Sequence, residues 1–199
     1  MSSEIPSWFG VNLVSYFFYN YQMKSFFCNR VDSTNLEAKH ILKSHKSKDP
    51  FWVIAHEQYA GRGHENNQWE SNPGENFTSS LVIFPLKIAA FHQFQLSKLV
   101  SLGIKDFLEL YLEGVKVKWP NDLYVGDRKI GGILIENEIL GEFLSVSIIG
   151  IGVNINQLEF VSNAPNPVSL SQLLGCKMEL TEAVKLLQSR VENRIESLS

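Results

Sequence analysis

The run Lys118-Trp119-Pro120-Asn121-Asp122-Leu123-Tyr124-Val125-Gly126-Asp127-Arg128-Lys129-Ile130-Gly131-Gly132-Ile133-Leu134-Ile135-Glu136 decides the fold. Two apolar segments flank Gly126-Asp127, a pair that reads as a two-residue hairpin turn. Glycine at the first central position suits a turn with positive φ there. The first arm is entered through Lys-Trp-Pro-Asn-Asp; the second carries Arg128-Lys129 and then Gly131-Gly132. Glycine inside a strand weakens it and marks a close approach of backbone or ligand. The hairpin therefore gathers two lysines, an amide, a carboxylate and bare backbone. Such a set suits an anionic, phosphate-bearing ligand.

Outward from the hairpin, Val115–Trp119 leads into it, and Gln93–Leu112 reads as a helix with Leu96, Val100, Ile104, Phe107 and Tyr111 on a broad apolar face. Gly114 is its expected stop. Beyond Glu136, residues 143–156 form a strand that ends Gly150-Ile151-Gly152-Val153-Asn154-Ile155-Asn156. A lone G-x-G is a weak signal, and Asn154 reads equally well as a strand-end turn residue. A Pro/Asn-rich loop follows over 157–168. A short helix is expected at Ser169–Leu174 and a final amphipathic one at Thr181–Leu198, capped by Thr181.

Upstream, Phe26–Val31 and Phe51–Ala55 read as strands, as does Phe77–Pro85. Between the first two lies an amphipathic run to about Ser44. Ser33 or Thr34 is placed to cap it; equally, Ser33-Thr34-Asn35 at a helix start could bind a polar ligand. The segment 56–76 is long, glycine- and asparagine-rich, and has no aliphatic residue between Ala60 and Phe77. Long loops inside compact domains are functional or disordered. Gly61 and Gly63 let backbone N–H groups turn toward an anion, and Arg62 can fork onto a carboxylate or phosphate. Trp69 either stacks on a ligand or tucks into the core.

Bulk properties narrow the classes. The chain has 199 residues, 44% hydrophobic and with net charge −3, which suits one domain with a proper core. The acidic balance argues against a dedicated nucleic-acid binder. No apolar run is long enough for a membrane span. Residues 1–24 lack signal-peptide form; Val14–Tyr21 reads as an edge strand or packing arm. The two cysteines, Cys28 and Cys176, have no metal-ligand spacing and read as thiols in a reducing cytoplasm. The five histidines form no zinc pattern.

The hairpin run resembles the signature of biotin–protein ligases, also called biotin–[acetyl-CoA-carboxylase] ligases, nearly position for position. The Gly61-Arg62-Gly63…Trp69 loop is similar to that family's glycine-rich biotin- and adenylate-binding loop. Here His64-Glu65-Asn66-Asn67 stand where many members have Arg-Arg-Gly-Arg, which leaves Arg62 as the loop's fixed cation. The resemblance spans about residues 26–175. It implies an α+β fold, a mixed and largely antiparallel sheet flanked by helices, similar to class II aminoacyl-tRNA synthetase cores. It implies one catalytic domain over 1–199 with an N-terminal arm at 1–25. On this reading no winged-helix DNA-binding domain is expected before residue 26, and the usual C-terminal β-barrel would be missing, as in a minimal ligase or a shortened chain.

The implied activity is ATP-dependent ligation of biotin to a lysine of a biotin carboxyl carrier protein, through biotinyl-5'-AMP, in the cytoplasm. Its implied catalytic residues are Lys129, Arg62 and Lys118. Biotin would meet Ser33, Thr34, Asn35, Gln58, Arg62, Gly63, His64 and Lys129. ATP would meet Arg62, Trp69, Asn121, Lys129 and Asn154, with Asp122 a further contact. Mg2+ would travel with the triphosphate, its protein ligands unassigned. Neither a nucleic acid nor a membrane is an expected partner. Pairing of edge strands into a homodimer is common in the fold. The alternatives are a lipoate or octanoate transferase on the same fold, and a non-catalytic biotin- or nucleotide-binding module.

Overall fold

The computed structural model describes residues 23–44, 48–63, 67–85, 88–161 and 166–196. The expected edge strand or packing arm at Val14–Tyr21 and the residues His64, Glu65 and Asn66 lie outside them. Seven strands form one sheet: β1 (Lys24–Val31), β2 (Phe51–Gln58), β3 (Phe77–Ile83), β4 (Val115–Lys118), β5 (Asp122–Val125), β6 (Arg128–Leu140) and β7 (Phe143–Val153). Their order is β1-β2-β3-β7-β6-β5-β4. The β1–β2 pair is parallel and every other neighbouring pair antiparallel. Among the described residues the α-helices are α1 (Thr34–Ser44), α2 (Phe94–Leu108), α3 (Leu170–Leu174) and α4 (Leu180–Glu196). The expected mixed, largely antiparallel α+β architecture is the one present. No helix among the described residues is long and apolar enough to cross a membrane.

The hairpin forms as expected. Gly126 has φ +63°, and Val125 pairs with Arg128 across the turn. Its entry is more broken than the sequence suggests. Residues 115–118 make a separate edge strand, and 119–121 turn before β5 begins.

Helix α2 ends at Leu108, four residues short of the expected Leu112, and not at Gly114. The amides of Leu110 and Tyr111 tighten onto the carbonyls three residues back, while Tyr111 and Leu112 still pack on the core. The apolar period thus outlasts the helix. Thr181 is not a cap: α4 starts one residue earlier, and Ala183 N–H bonds Glu179. Ser169 does cap α3, with the Ser169–Gln172 reciprocal pair complete.

Alternate residues of a strand point to opposite faces, and this sheet uses its faces differently. On one face Trp52, Ile54, Leu81, Ile149, Ile151 and Ile133 join residues of α2 and α4 in the main core. On the other, α1 covers a small cluster of Ala38, Phe51, Val53, Val82 and Ile148. Next to that cluster the same face turns polar and bare. Register places Ser80 beside Gly150 and Leu134, and Thr78 beside Gly152 and Gly132. That glycine-rich floor sits between the start of α1 and the loop after β2.

Candidate active site

A cleft of about 200 Å³ lies on this floor. Its lining draws on five separate stretches: the start of α1, the end of β2, the 61–69 loop, β3, and the β5–β6–β7 ribbon.

The α1 wall is a hydrogen-bonded polar chain. Ser33 Oγ accepts from Leu36 N–H at 3.2 Å, so Ser33 caps the helix while it also lines the cleft. Gln58 Oε1 accepts from Thr34 N–H at 2.8 Å. Ser80 Oγ donates to Asn35 Oδ1 at 2.6 Å and lies 2.8 Å from Thr34 Oγ1. All of these side chains are buried, and buried polar groups are costly unless paired. Capping and ligand-facing are therefore not exclusive here. Gly150 is required by this wall: a Cβ there would sit 2.6 Å from Asn35 Oδ1.

The opposite wall is the loop. It closes as a small hairpin, with Trp69 N–H on Gly61 O at 3.0 Å, Gly63 N–H on Asn67 O at 2.7 Å, and an Arg62–Gln68 bridge. A Cβ on Gly61 would lie 2.4 Å from Trp69 O, so a side chain there would open the loop. Trp69 is not tucked into the core. Its indole lies over the floor, where a Cβ on Gly152 would stand 2.3 Å from the ring and one on Gly132 3.4 Å. Its Nε1 is buried with no partner among the described residues.

The cations come from both sides. Lys129 Nζ bonds Asp122 at 2.7 Å and stands 6.0 Å from the Trp69 ring. Arg62 Nη2 bonds Glu136 at 3.1 Å. Glu136 also accepts from Asn35 Nδ2 and from Lys39, each at 2.8 Å. Burial raises the Glu136 carboxyl, but the hydrogen bonds from Lys39 and Asn35 and the nearby Arg62 charge outweigh it. The group is held below the usual glutamate range. Asn121 is fixed at the rim by Nδ2 donating to Ile133 O at 3.0 Å.

The structure thus brings Ser33, Thr34, Asn35, Gln58, Arg62, Gly63, Trp69, Asn121, Asp122 and Lys129 to one cleft. Two expected site residues stand elsewhere. Lys118 is exposed on the edge strand, its ammonium over the Tyr124 ring at 5.2 Å. Asn154 is buried past the end of β7, its Nδ2 donating to Val168 O at 3.1 Å. It is not a lining residue, and its side chain ties the strand end to the segment before α3. His64 lies outside the described residues. Sequence reasoning passed over Ser80, Glu136 and Lys39. The alternation Thr78-x-Ser80-x-Val82, polar then apolar on one face, was the signal for the first.

The model of the biotin/lipoate A/B protein ligase family matches residues 27–154. The chain belongs to this family. A biotin–[acetyl-CoA-carboxylase] ligase of Paracoccus denitrificans is 36% identical over 129 residues, 63% of this chain and 52% of that protein. A bifunctional ligase/repressor BirA of Bacillus subtilis is 29% identical over 167 residues, 81% of this chain and 51% of that protein. The chain spans about half the length of these curated relatives. Among solved structures, the Aquifex aeolicus biotin protein ligase in complex with biotin and ATP superposes with a TM-score of 0.72 at 24% identity. The match covers 87% of this chain and 70% of that one. The Leishmania major biotin protein ligase in complex with biotinyl-5-AMP gives 0.64 at 26% identity, covering 88% and 79%. The seven-stranded mixed sheet is the biotin protein ligase fold, and family membership makes the cleft the place to look for chemistry.

Proposed function

We propose that this chain joins biotin to a lysine of a biotin carboxyl carrier domain in two steps, through biotinyl-5'-AMP. The observation that carries the reading is that Arg62 and Lys129, 67 positions apart in the sequence, line one cleft with the amide and hydroxyl wall of α1 and Gln58. A cleft that combines these cations with neutral hydrogen-bonding groups matches an acid whose far end is a polar, uncharged bicycle. A wrong ligand would leave the buried Thr34–Gln58 wall unpaired, which is costly.

In the first step a biotin carboxylate oxygen bonds the α-phosphorus of ATP and pyrophosphate leaves. Charge builds on the phosphate oxygens, and fixed donors there supply most of the acceleration. Lys129 is the bridging cation and Arg62 its support. Trp69, over the glycine floor, presents a face for stacking. Asp122 holds the Lys129 ammonium at the ribbon until a ligand arrives. Lys118 and Asn154, which stand away from the cleft, would act only through the ribbon and the strand end. Magnesium enters with ATP as part of that substrate, keeping much of its water; among the described residues no three carboxylate, histidine or cysteine groups gather to hold a metal. In the second step the lysine ε-amine bonds the acyl carbon, the amine loses a proton and AMP leaves. Neither Cys28 nor Cys176 takes part. We place the reaction in the cytoplasm, with ATP and the carboxylase. The same reading includes a homodimer through a sheet edge, β1 or β4, which sedimentation would test.

The test mixes protein, biotin, ATP with Mg2+ and a carboxyl carrier domain, and weighs the carrier. A gain of one biotinyl group is expected, together with biotin-dependent exchange of labelled pyrophosphate into ATP. Exchange with lipoate in place of biotin would favour the transferase alternative. Biotin binding with no exchange would favour a binding module.

A further inference from the structure

We propose that Glu136 is a positioning residue: anchored by Asn35 and Lys39, it holds the Arg62 guanidinium at the cleft while Lys39 offsets its charge, so that Arg62 meets an anionic ligand as a net cation. The inference rests on the biotin–ATP reading above and names a residue that does not itself line the cleft.

Three observations carry it. First, Arg62 needs an anchor. It stands between Gly61 and Gly63, and its side chain is 41% exposed. A long side chain on a glycine-flanked loop is costly to order when a ligand arrives. Glu136 lies in the middle of a long paired strand, opposite Ile148 of β7, and so offers a rigid attachment point.

Second, the contact leaves Arg62 free to work. Among the described residues only Nη2 is engaged, at 3.1 Å. A guanidinium has five N–H donors, so the fork remains open to a carboxylate or phosphate.

Third, the charges do not cancel. Glu136 takes Lys39 at 2.8 Å as well as Arg62. Lys39, Glu136 and Arg62 therefore sum to one positive charge. The second cation is arranged differently: Lys129 pairs with Asp122 one to one. The Glu136 carboxylate also fixes an amide. Ionised, it can only accept, so Asn35 must turn Nδ2 toward it and Oδ1 toward Ser80. One carboxylate thus sets both the loop cation and the direction of the α1 wall.

The opposite role is physically available, in which Glu136 sequesters Arg62 and competes with the ligand. The sign of a substitution decides between them. Biotin affinity would be measured by calorimetry, and biotin-dependent pyrophosphate exchange by label, on the full chain and on Glu136→Gln, Glu136→Asp, Arg62→Met, the double variant Glu136→Gln/Arg62→Met, and Lys39→Met. Hydrogen bonds to charged groups set the scale of loss, about 10- to 100-fold for Glu136→Gln. The loss should fall mainly in biotin affinity and biotin KM, with the melting temperature close to the parent's. Glu136→Asp should recover part of it. In the Arg62→Met background Glu136→Gln should cost at most a few-fold more, because its main action passes through Arg62 and a glutamine oxygen still accepts from Asn35. Lys39→Met should cost about 2- to 5-fold, fading at high salt, since it leaves Glu136 to offset Arg62.

Tighter or unchanged biotin binding in Glu136→Gln would overturn the proposal, as would losses that multiply in full in the double variant. If Glu136→Gln fails to fold, the charge-conserving Glu136→Asp and the Lys39→Met pair still decide. A parent that binds no biotin would sink the functional reading itself; a parent that binds while the variants match it would sink only the role of Glu136.

Discussion

Strand β7 serves two purposes with alternate residues. Ile149, Ile151 and Val153 face α2 and α4 and are buried in the main core. Ile148, Gly150 and Gly152 face the other way, where only Ile148 meets an apolar cluster. The two glycines give their space to other groups, the Asn35 amide and the Trp69 indole. The core side gains stability by filling volume, at about 25 cal/mol per Å² of apolar surface buried. The cleft side forgoes that gain and exposes bare backbone beside buried polar chains. Substitutions on the first face should therefore change stability, and on the second, binding and catalysis. The strongest test of that division is a residue at the cleft mouth.

Lys129→Ala removes the cation opposite Arg62. Its side chain is 22% exposed, and its ammonium pairs with Asp122 at 2.7 Å. Removing a donor aimed at developing charge costs about 10²–10³-fold in rate. The expected outcome is loss of biotin-dependent pyrophosphate exchange on that scale, with a melting curve like the parent's. Exchange at the parental rate would refute the role; collapse of the fold would refute the division between the faces.

How much of this was legible follows the same division. The hairpin was readable because its turn chemistry and its period are local. The buried strands and α2 were readable because a core face leaves a hydrophobic period. The loop's cation was found through its glycines. What escaped was tertiary. Glu136 looks like one more strand residue until α1 brings Asn35 and Lys39 to it. The glycines of β7 gave a weak signal because their reasons lie in Asn35 for Gly150 and in Trp69 for Gly152, 115 and 83 positions away. The placement of Lys118 away from the cleft was not legible for a related cause. Its backbone pairs opposite Asp122, yet its side chain leans on Tyr124, a direction that spacing alone does not give.

Two neighbours on β7 sharpen the comparison directly. Ile151→Ala opens space in a closely packed core and should destabilise the protein by about 2–3 kcal/mol, with biotin and ATP binding little altered in the folded fraction. Gly152→Ala adds one carbon where the Trp69 ring already stands. The indole must move, so KM for ATP should rise several-fold while thermal stability changes little. Chemical denaturation and exchange kinetics on the pair would show it. If both variants lose stability equally, the cleft face is ordinary core.

The smallest effect concerns two glutamates, one on each face. Glu136 on the cleft face has Lys39, Arg62 and Asn35, and is held low. Glu192 of α4, on the core face, is buried and receives the Trp52 indole N–H at 2.6 Å. Burial pushes its carboxyl up to about 7, against the lowering effect of that hydrogen bond and with the raising effect of Glu196. The unfolded chain releases this proton near 4.5, so between there and about 7 the native state binds the proton that the unfolded state has lost. Stability from this group is whole below the unfolded value and falls as pH rises through the native one. Glu192→Gln keeps an acceptor for Trp52 and carries no titrating proton. It should flatten the decline in melting temperature between about pH 5 and pH 8 and leave the variant more stable at the upper end, by about 1 kcal/mol. An unchanged slope would show that Glu192 ionises in the native core without cost, and that the core face tolerates charge as readily as the cleft face does.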